Sequence, residues 1–486
     1  MRKIPRTMST QHPDNASTPF FAESSLLDGN DEIQEAYYVF SHLGIEEQMW
    51  DCEGKEIDTY VVKKLLSWYP HYFEKQILGR DKFLTLRIPN PSIEKDEAKF
   101  MIETLESIPR NYDTARLFYK KEIAPIFEVI LPMTTSSSEI SFLYEYYRRF
   151  VVGKENFTFS GQEMKLKDWI GEINPKSINV IPLFETYTAI LGADKILKEL
   201  IANVPQPYFR VFLARSDPAL NYGFAAAVII THIALRRLQR LEAETGVPIY
   251  PIVGMGSAPF RGDLKPPTAK SIAAEYTYCY TFTVQSAFKY DYPVIDVMQA
   301  VEHLNKRERK PMPAVEESFY LELAAKSKQI YQENVACVAR VVNEFAPFVP
   351  RRRMRKLHIG LFGYSRKVEK VVLPRAITYV AACYSLGLPP ELIDLAFLPE
   401  KDLETLFALS PSSKQAYQEA ASFYNPLSQK VFGELAAKVD AVASAFIPNE
   451  LHREITSEII SRFVERKTEG LSDFVTEAGY VRGFLG

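Results

Sequence analysis

The sequence predicts an α/β fold, a TIM-type (β/α)8 barrel carrying additional N- and C-terminal helices. Six short, nearly continuous apolar runs recur with helix-length stretches between them, the pattern of parallel strands covered on both faces. Several runs end on a charged residue, as at Arg87, Glu185 and Asp217, where a barrel gathers strand ends around one mouth. No Gly-rich dinucleotide fingerprint follows the first run, which weakens an open-sheet alternative.

Taken in order, residues 1–20 read as a loop, because Gln11-His12-Pro13-Asp14-Asn15-Ala16-Ser17-Thr18-Pro19 is dense in turn formers. Residues 31–78 place apolar side chains at three-to-four spacing, so 1–80 is expected to be a prelude of loop and helices. The barrel core is expected over 81–387, with strands at 83–88, 126–133, 178–185, 208–217, 248–254 and 277–284. A helical insertion over 292–350 precedes a seventh strand at 357–364; no stretch offers itself as the eighth. The remainder, 388–486, reads as a helical appendage whose last residues, Val481-Arg482-Gly483-Phe484-Leu485-Gly486, are too apolar to stay loose in solvent. The 486 residues are thus read as one barrel-based catalytic domain.

Composition excludes several classes. The 58 basic and 61 acidic residues nearly cancel, so no overall field favours nucleic acid or membrane. Cys52, Cys279, Cys337 and Cys383 form no close pair, which fits buried thiols in a reducing cytoplasm. The N-terminus lacks an apolar signal region and no run is long enough to span a bilayer. An aromatic share of 13% points to extensive core or subunit interfaces without choosing between them. GxSxG, HExxH, Walker and clustered Cys/His motifs are missing, removing the corresponding hydrolase and zinc readings.

What remains is a set of charges at strand ends. Glu185 and Asp217 are 32 residues apart, room for one helix between two parallel strands, so a barrel would aim both at one volume. Two carboxylates with few other ligand types suit a hard cation, Mg2+ or Mn2+; each carboxylate could equally cap the helix after its strand. Arg87, Arg215, Arg261 and Arg366 also follow strands, and guanidinium forks suit an anionic substrate, although each could be a surface charge or a structural ion-pair partner. Gly254 and Gly256 allow close approach of backbone to a ligand. The basic run 351–356 reads as a solvated turn or an anion site rather than a nucleic-acid patch.

On these residues the chain resembles the phosphoenolpyruvate carboxylase family, and in its length and its opening Met8-Ser9-Thr10-Gln11-His12-Pro13-Asp14-Asn15 it is similar to the archaeal type. Pro182-Leu183-Phe184-Glu185-Thr186, Ser216-Asp217 and the late Leu373-Pro374 carry the likeness through nearly the whole chain. The resemblance implies that bicarbonate attacks the phosphorus of phosphoenolpyruvate, giving carboxyphosphate and an enolate; carbon dioxide is released and recaptured to form oxaloacetate. It implies Glu185 and Asp217 as metal ligands, Arg87 and Arg366 as phosphate grips, and His12 with Arg261 as the pair handling bicarbonate and carboxyphosphate. It further implies a cytoplasmic homotetramer acting on phosphoenolpyruvate and bicarbonate, with neither nucleic acid nor membrane as partner. The longer enzymes of the family have a lysine where this chain has Leu220, and His-Gly-Arg-Gly-Gly where it has Val253-Gly254-Met255-Gly256-Ser257. Arg215 and Lys289 are the neighbouring cations able to supply that charge. Two other classes stay open: an aldolase-type metal-enolate lyase, and a helical interaction protein using the 351–356 run.

Overall fold

The computed structural model describes residues 2–52, 58–159, 161, 163–354, 367–368 and 371–486. Eight parallel strands close into a barrel in sequence order. They are β1 (Thr7–Ser9), β2 (Glu47–Asp51), β3 (Phe83–Arg87), β4 (Glu128–Leu131), β5 (Asn179–Phe184), β6 (Phe209–Ala214), β7 (Ile249–Gly254) and β8 (Thr281–Val284). β1 is the closing stave, pairing Met8 with Glu47 on one side and with Thr283 on the other.

β3 to β8 coincide with the six apolar runs. The other two strands correct the expectation for 1–80, which is not only loop and helices but supplies β1 and β2. The expected strand at 357–364 lies outside the described residues, and the barrel closes without it. Hydropathy misses β1 and β2 because Thr7, Ser9, Glu47 and Gln48 are polar yet buried; their partners are inside the barrel rather than in water.

Side chains alternate along a strand, so every second residue stacks a layer inside the barrel. At the amino-terminal end Arg210 donates from Nη1 to Glu47 Oε1 and Glu128 Oε2, both at 2.8 Å, and from Nη2 to Glu47 Oε2 at 2.7 Å. The Tyr208 hydroxyl donates to Glu128 Oε1 at 2.9 Å, and Thr85 donates to Glu47. Burial opposes the Arg210 charge, but Glu47 and Glu128 more than offset it and raise its pKa. Two residues further along each strand comes an apolar layer that includes Met8, Met49, Ile130, Ile181, Phe212 and Ile252. Two further residues reach the mouth, where Asp51, Arg87 and Gln285 stand.

Outside the barrel, the 22-residue helix Phe224–Thr245 is buried along most of its length beneath the 29-residue helix Glu317–Phe345. Within the basic run Arg351 is exposed, whereas Arg352 donates to the carbonyls of Asn15 and Ala16 and Arg353 is buried against Glu32 and Glu35; Arg355 and Lys356 lie outside the described residues. Cys52, Cys279 and Cys383 are buried and Cys337 is exposed. Among the described residues no helix is long and apolar enough to cross a membrane. At the C-terminus, Gly483 takes φ +77°, ends the helix Leu471–Arg482 and turns Phe484 and Leu485 into the core.

Candidate active site

Phe184 of β5 pairs with Leu213 of β6, so the residues that follow emerge side by side at the carboxyl end of the barrel. Glu185 and Asp217 line one cavity there, together with His12, Arg87, Arg215, Ser216 and Gln285. The capping alternative fails for Glu185. Thr186 caps the helix Tyr187–Leu191 by accepting from the Ala189 N–H, while Glu185 Oε2 accepts the Met133 N–H at 2.7 Å. Met133 holds φ +51°, an uncommon conformation for a residue with a side chain, at the turn that presents this N–H. Asp217 sits in the first turn of the helix Ser216–Tyr222, where the peptide dipoles favour negative charge.

The donor set fits a divalent cation. Two carboxylates on neighbouring strand ends are what magnesium or manganese commonly takes from protein, leaving other positions to water and substrate. Among the described residues no group of three or more His, Cys, Asp or Glu comes together as a metal cage.

The arginines have different surroundings. Arg87, paired in register with Asp51 of β2, donates from Nε to Asp51 Oδ1 at 2.9 Å and from Nη2 to Oδ2 at 2.7 Å, a two-point clamp. Arg215 is 1% exposed, and its Nε and Nη1 find no partner among the described residues. Burial lowers its pKa, and the neighbouring Tyr276, Glu275 and Asp394 oppose that shift. Arg261 is buried just behind the cavity. It donates from Nε to Ser216 Oγ at 3.1 Å, from Nη2 to Gln285 Oε1 at 2.5 Å, and from Nη1 to Asp14 Oδ2 at 3.0 Å and the Gly486 oxygen at 2.8 Å. Its pKa is lowered by burial, with Asp14 and Asp217 opposing. Arg366 lies outside the described residues. Lys289 does not stand in for a catalytic lysine: its Nζ is buried and donates to Ser9 Oγ, the Thr10 carbonyl and Glu35 Oε1 at 2.8–3.0 Å, using all three donors.

His12 reaches the cavity because the loop after β1 is fixed on several sides. Thr10 N–H donates to the Val284 carbonyl, Gln11 Oε1 accepts the Asp51 N–H at 3.0 Å, and Asp14 Oδ1 accepts the Ala287 N–H at 2.7 Å. The His12 Nδ1 lies 2.9 Å from Thr10 Oγ1. The glycines at the end of β7 and just beyond it serve the protein's own side chains. A Cβ on Gly254 would lie 2.7 Å from the Phe212 ring, and one on Gly256 would lie 2.8 Å from the Arg261 guanidinium. Sequence reasoning missed Asp14, Asp51, Ser216 and Gln285 as members of the site. Asp14 stood in the polar stretch already singled out, whereas Asp51 was hidden with β2.

Comparison with known proteins bears on this arrangement. A family model described as phosphoenolpyruvate carboxylase matches residues 4–486. A phosphoenolpyruvate carboxylase of Methanospirillum hungatei JF-1 is 48% identical over 484 residues, and one of Methanothermobacter thermautotrophicus is 49% identical over 484 residues; each match covers 100% of both chains. One of Pyrococcus furiosus is 47% identical over 490 residues, covering 99% of this chain and 100% of the relative. Among solved structures, an HpcH/HpaI aldolase from Desulfitobacterium hafniense aligns with TM-score 0.33 and 11% identity over 63% of this chain and 95% of that one, a likeness too slight to carry an argument.

Proposed function

The chain belongs to the phosphoenolpyruvate carboxylase family, of the archaeal type, and from that premise we propose how its own residues convert phosphoenolpyruvate and bicarbonate to oxaloacetate and phosphate. The observation that carries the reading is the meeting of Glu185, Asp217, Arg87, Arg215 and His12 around one cavity at the barrel mouth.

Arg215, a buried guanidinium with two unfilled donors, and the clamped Arg87 bind and orient the anionic substrate, with Arg366 as a third grip. Bicarbonate oxygen attacks phosphorus as the enol C–O–P bridge breaks, leaving carboxyphosphate and the enolate of pyruvate. His12, its ring held by Thr10, takes the carboxyphosphate proton; the bond from carbon to the bridging oxygen then breaks, giving carbon dioxide and phosphate. The enolate carbon attacks the carbon dioxide held beside it, and Arg261 with Gln285 and Ser216 fixes the wall against which this happens. A divalent cation, Mg2+ or Mn2+, held by Glu185 and Asp217 would supply stabilisation of the negative charge that develops on oxygen. The loop after β1 and the last residues of the chain shut water out, which otherwise would protonate the enolate. The same family likeness supports a homotetramer in the cytoplasm.

A coupled assay following NADH oxidation through malate dehydrogenase tests this. We expect oxaloacetate formation that requires bicarbonate and a divalent cation but neither ATP nor biotin. Turnover without bicarbonate, or dependence on ATP, overturns it. Arg87→Ala should abolish most of the activity; unchanged activity would instead suit an aldolase-type site with no need of phosphate grips.

A further inference from the structure

Between β4 and β5 the chain makes a long excursion whose apolar side chains face outward. The helix Ser137–Tyr146 continues into a wider turn, Tyr147–Val152, and Phe142, Tyr146 and Phe150 stack in a row along it, with ring centroids 6.4 and 5.4 Å apart. The chain then forms a small hairpin, closed by the Thr158–Lys165 bridge and the Leu166 N–H to Phe157 carbonyl bond, and the short helix Leu166–Ile170. Phe142, Phe150, Phe157, Phe159, Met164, Trp169 and Ile170 are between 48% and 75% exposed.

Magnitude separates this surface from ordinary scatter. Exposed aromatic and aliphatic side chains of this size present on the order of 100 Å² each, so the seven together offer on the order of 700 Å². That exceeds the roughly 300–600 Å² of the largest apolar patch on a typical monomer and approaches the roughly 800 Å² each partner contributes to a standard interface. Charge narrows the partner. Over residues 137–176 six acidic side chains (Glu139, Glu145, Glu155, Glu163, Asp168, Glu172) balance six basic ones (Arg148, Arg149, Lys154, Lys165, Lys167, Lys176). A strongly acidic partner such as nucleic acid or an anionic bilayer would call for a basic excess; here Arg148 and Arg149 pair with Glu145, Lys154 with Glu106 and Lys176 with Glu155, so the face has no net charge and meets an identical copy without repulsion.

We propose that this excursion is a contact face between copies of the chain, the aromatic row and the hairpin of one copy packing against those of another. The proposal deepens the homo-oligomer reading given above and rests on it. The helix Ser137–Tyr146 leaves the carboxyl end of β4 and residues 157–178 lead back to the amino end of β5, so the face lies toward the barrel floor, away from the catalytic mouth.

Light scattering coupled to size exclusion, on the full chain at micromolar concentration, tests it. The unaltered protein should run as an assembly of two or more copies. Phe150→Glu and Trp169→Glu, at sites 62% and 75% exposed and outside the core, should each reduce the mass while leaving the far-ultraviolet circular dichroism unchanged. If one variant loses that signal, the other is the reading, and dilution of the unaltered protein should raise amide exchange over 137–170 in step with the fall in mass. A monomer at the outset overturns both the oligomer reading and this face. An assembly whose mass survives both substitutions, or whose dissociation leaves exchange over 137–170 unchanged, overturns the face alone and assigns the patch to another partner.

Discussion

Arg87 and Arg215 stand at the same barrel mouth, and their surroundings make them different tools. Arg87 has its orientation set by the Asp51 clamp, while Arg215 is desolvated with donors in reserve. A clamp of this kind contributes about 1.5–3 kcal/mol, so Asp51→Asn should raise the KM for phosphoenolpyruvate roughly ten- to hundred-fold with little loss of stability; an unaltered KM in steady-state kinetics removes Asp51 from the site. Asp217→Asn should weaken cation binding itself, read as loss of Mn2+ binding heat in calorimetry without turnover, and an unchanged titration would take Asp217 out of the ligand set. His12→Ala should suppress oxaloacetate formation more than it weakens phosphoenolpyruvate binding; the reverse pattern would make it a binding residue. The convergence of Glu185, Asp217, Arg87 and Arg215 on one cavity was legible in the sequence because each stands where an apolar run ends. Asp14 and Asp51 were not, since what they do is set by residues remote in sequence, Arg261 and Arg87, and only the closed barrel brings these together.

At the scale of elements, the same physics divides the legible strands from the illegible ones. β5, β6 and β7 are covered by helices and read as apolar runs, whereas β2 spends Glu47 on Arg210 and Asp51 on Arg87. A polar strand that pairs its charges within the barrel looks like surface until its partners are known. Removing Arg210 tests the weight of that floor: Arg210→Met leaves Glu47 and Glu128 buried together without a cation and should cost about 3–5 kcal/mol in urea unfolding. A loss under about 1 kcal/mol would show the floor to be solvated in practice. A buried titrating group stands at the start of the short helix Leu392–Leu395. Glu391 accepts from the Tyr384 hydroxyl at 2.8 Å, and burial pushes its carboxyl up to about 8. Between the ordinary glutamate value and that one, the folded protein binds more protons than the unfolded chain, so this group's contribution to stability falls as pH rises across that window. Glu391→Gln should therefore stabilise the protein by on the order of a few kcal/mol at pH 8.5 relative to its effect near pH 5. An identical effect at both pH values would show that the carboxyl titrates normally.

For the whole molecule, the decisive feature is that the last residues of the chain meet the loop after β1 behind the cavity. The Leu485 N–H donates to the Asp14 carbonyl at 2.7 Å, Asp14 Oδ2 accepts from Arg261, and Arg261 also donates to the Gly486 oxygen. Arg482 reinforces the turn by donating to the Leu485 carbonyl at 2.8 Å. There is no room for a side chain at the end: a Cβ on Gly486 would lie 2.2 Å from the Ile377 carbonyl oxygen. The last three residues thus cover Arg261, on which the wall of the cavity depends, and they do so with Phe484 and Leu485 in the core. Deleting Phe484–Gly486 opens that cover from the back. Phosphoenolpyruvate still binds through residues at the mouth, but water gains access to an enolate that persists only while it is kept dry. The expected result is a change of product rather than a simple loss: pyruvate, followed through lactate dehydrogenase, should rise at the expense of oxaloacetate, followed through malate dehydrogenase, with the circular dichroism of the barrel preserved. A truncated enzyme that keeps the full-length ratio of the two products would show that the tail only stabilises the fold.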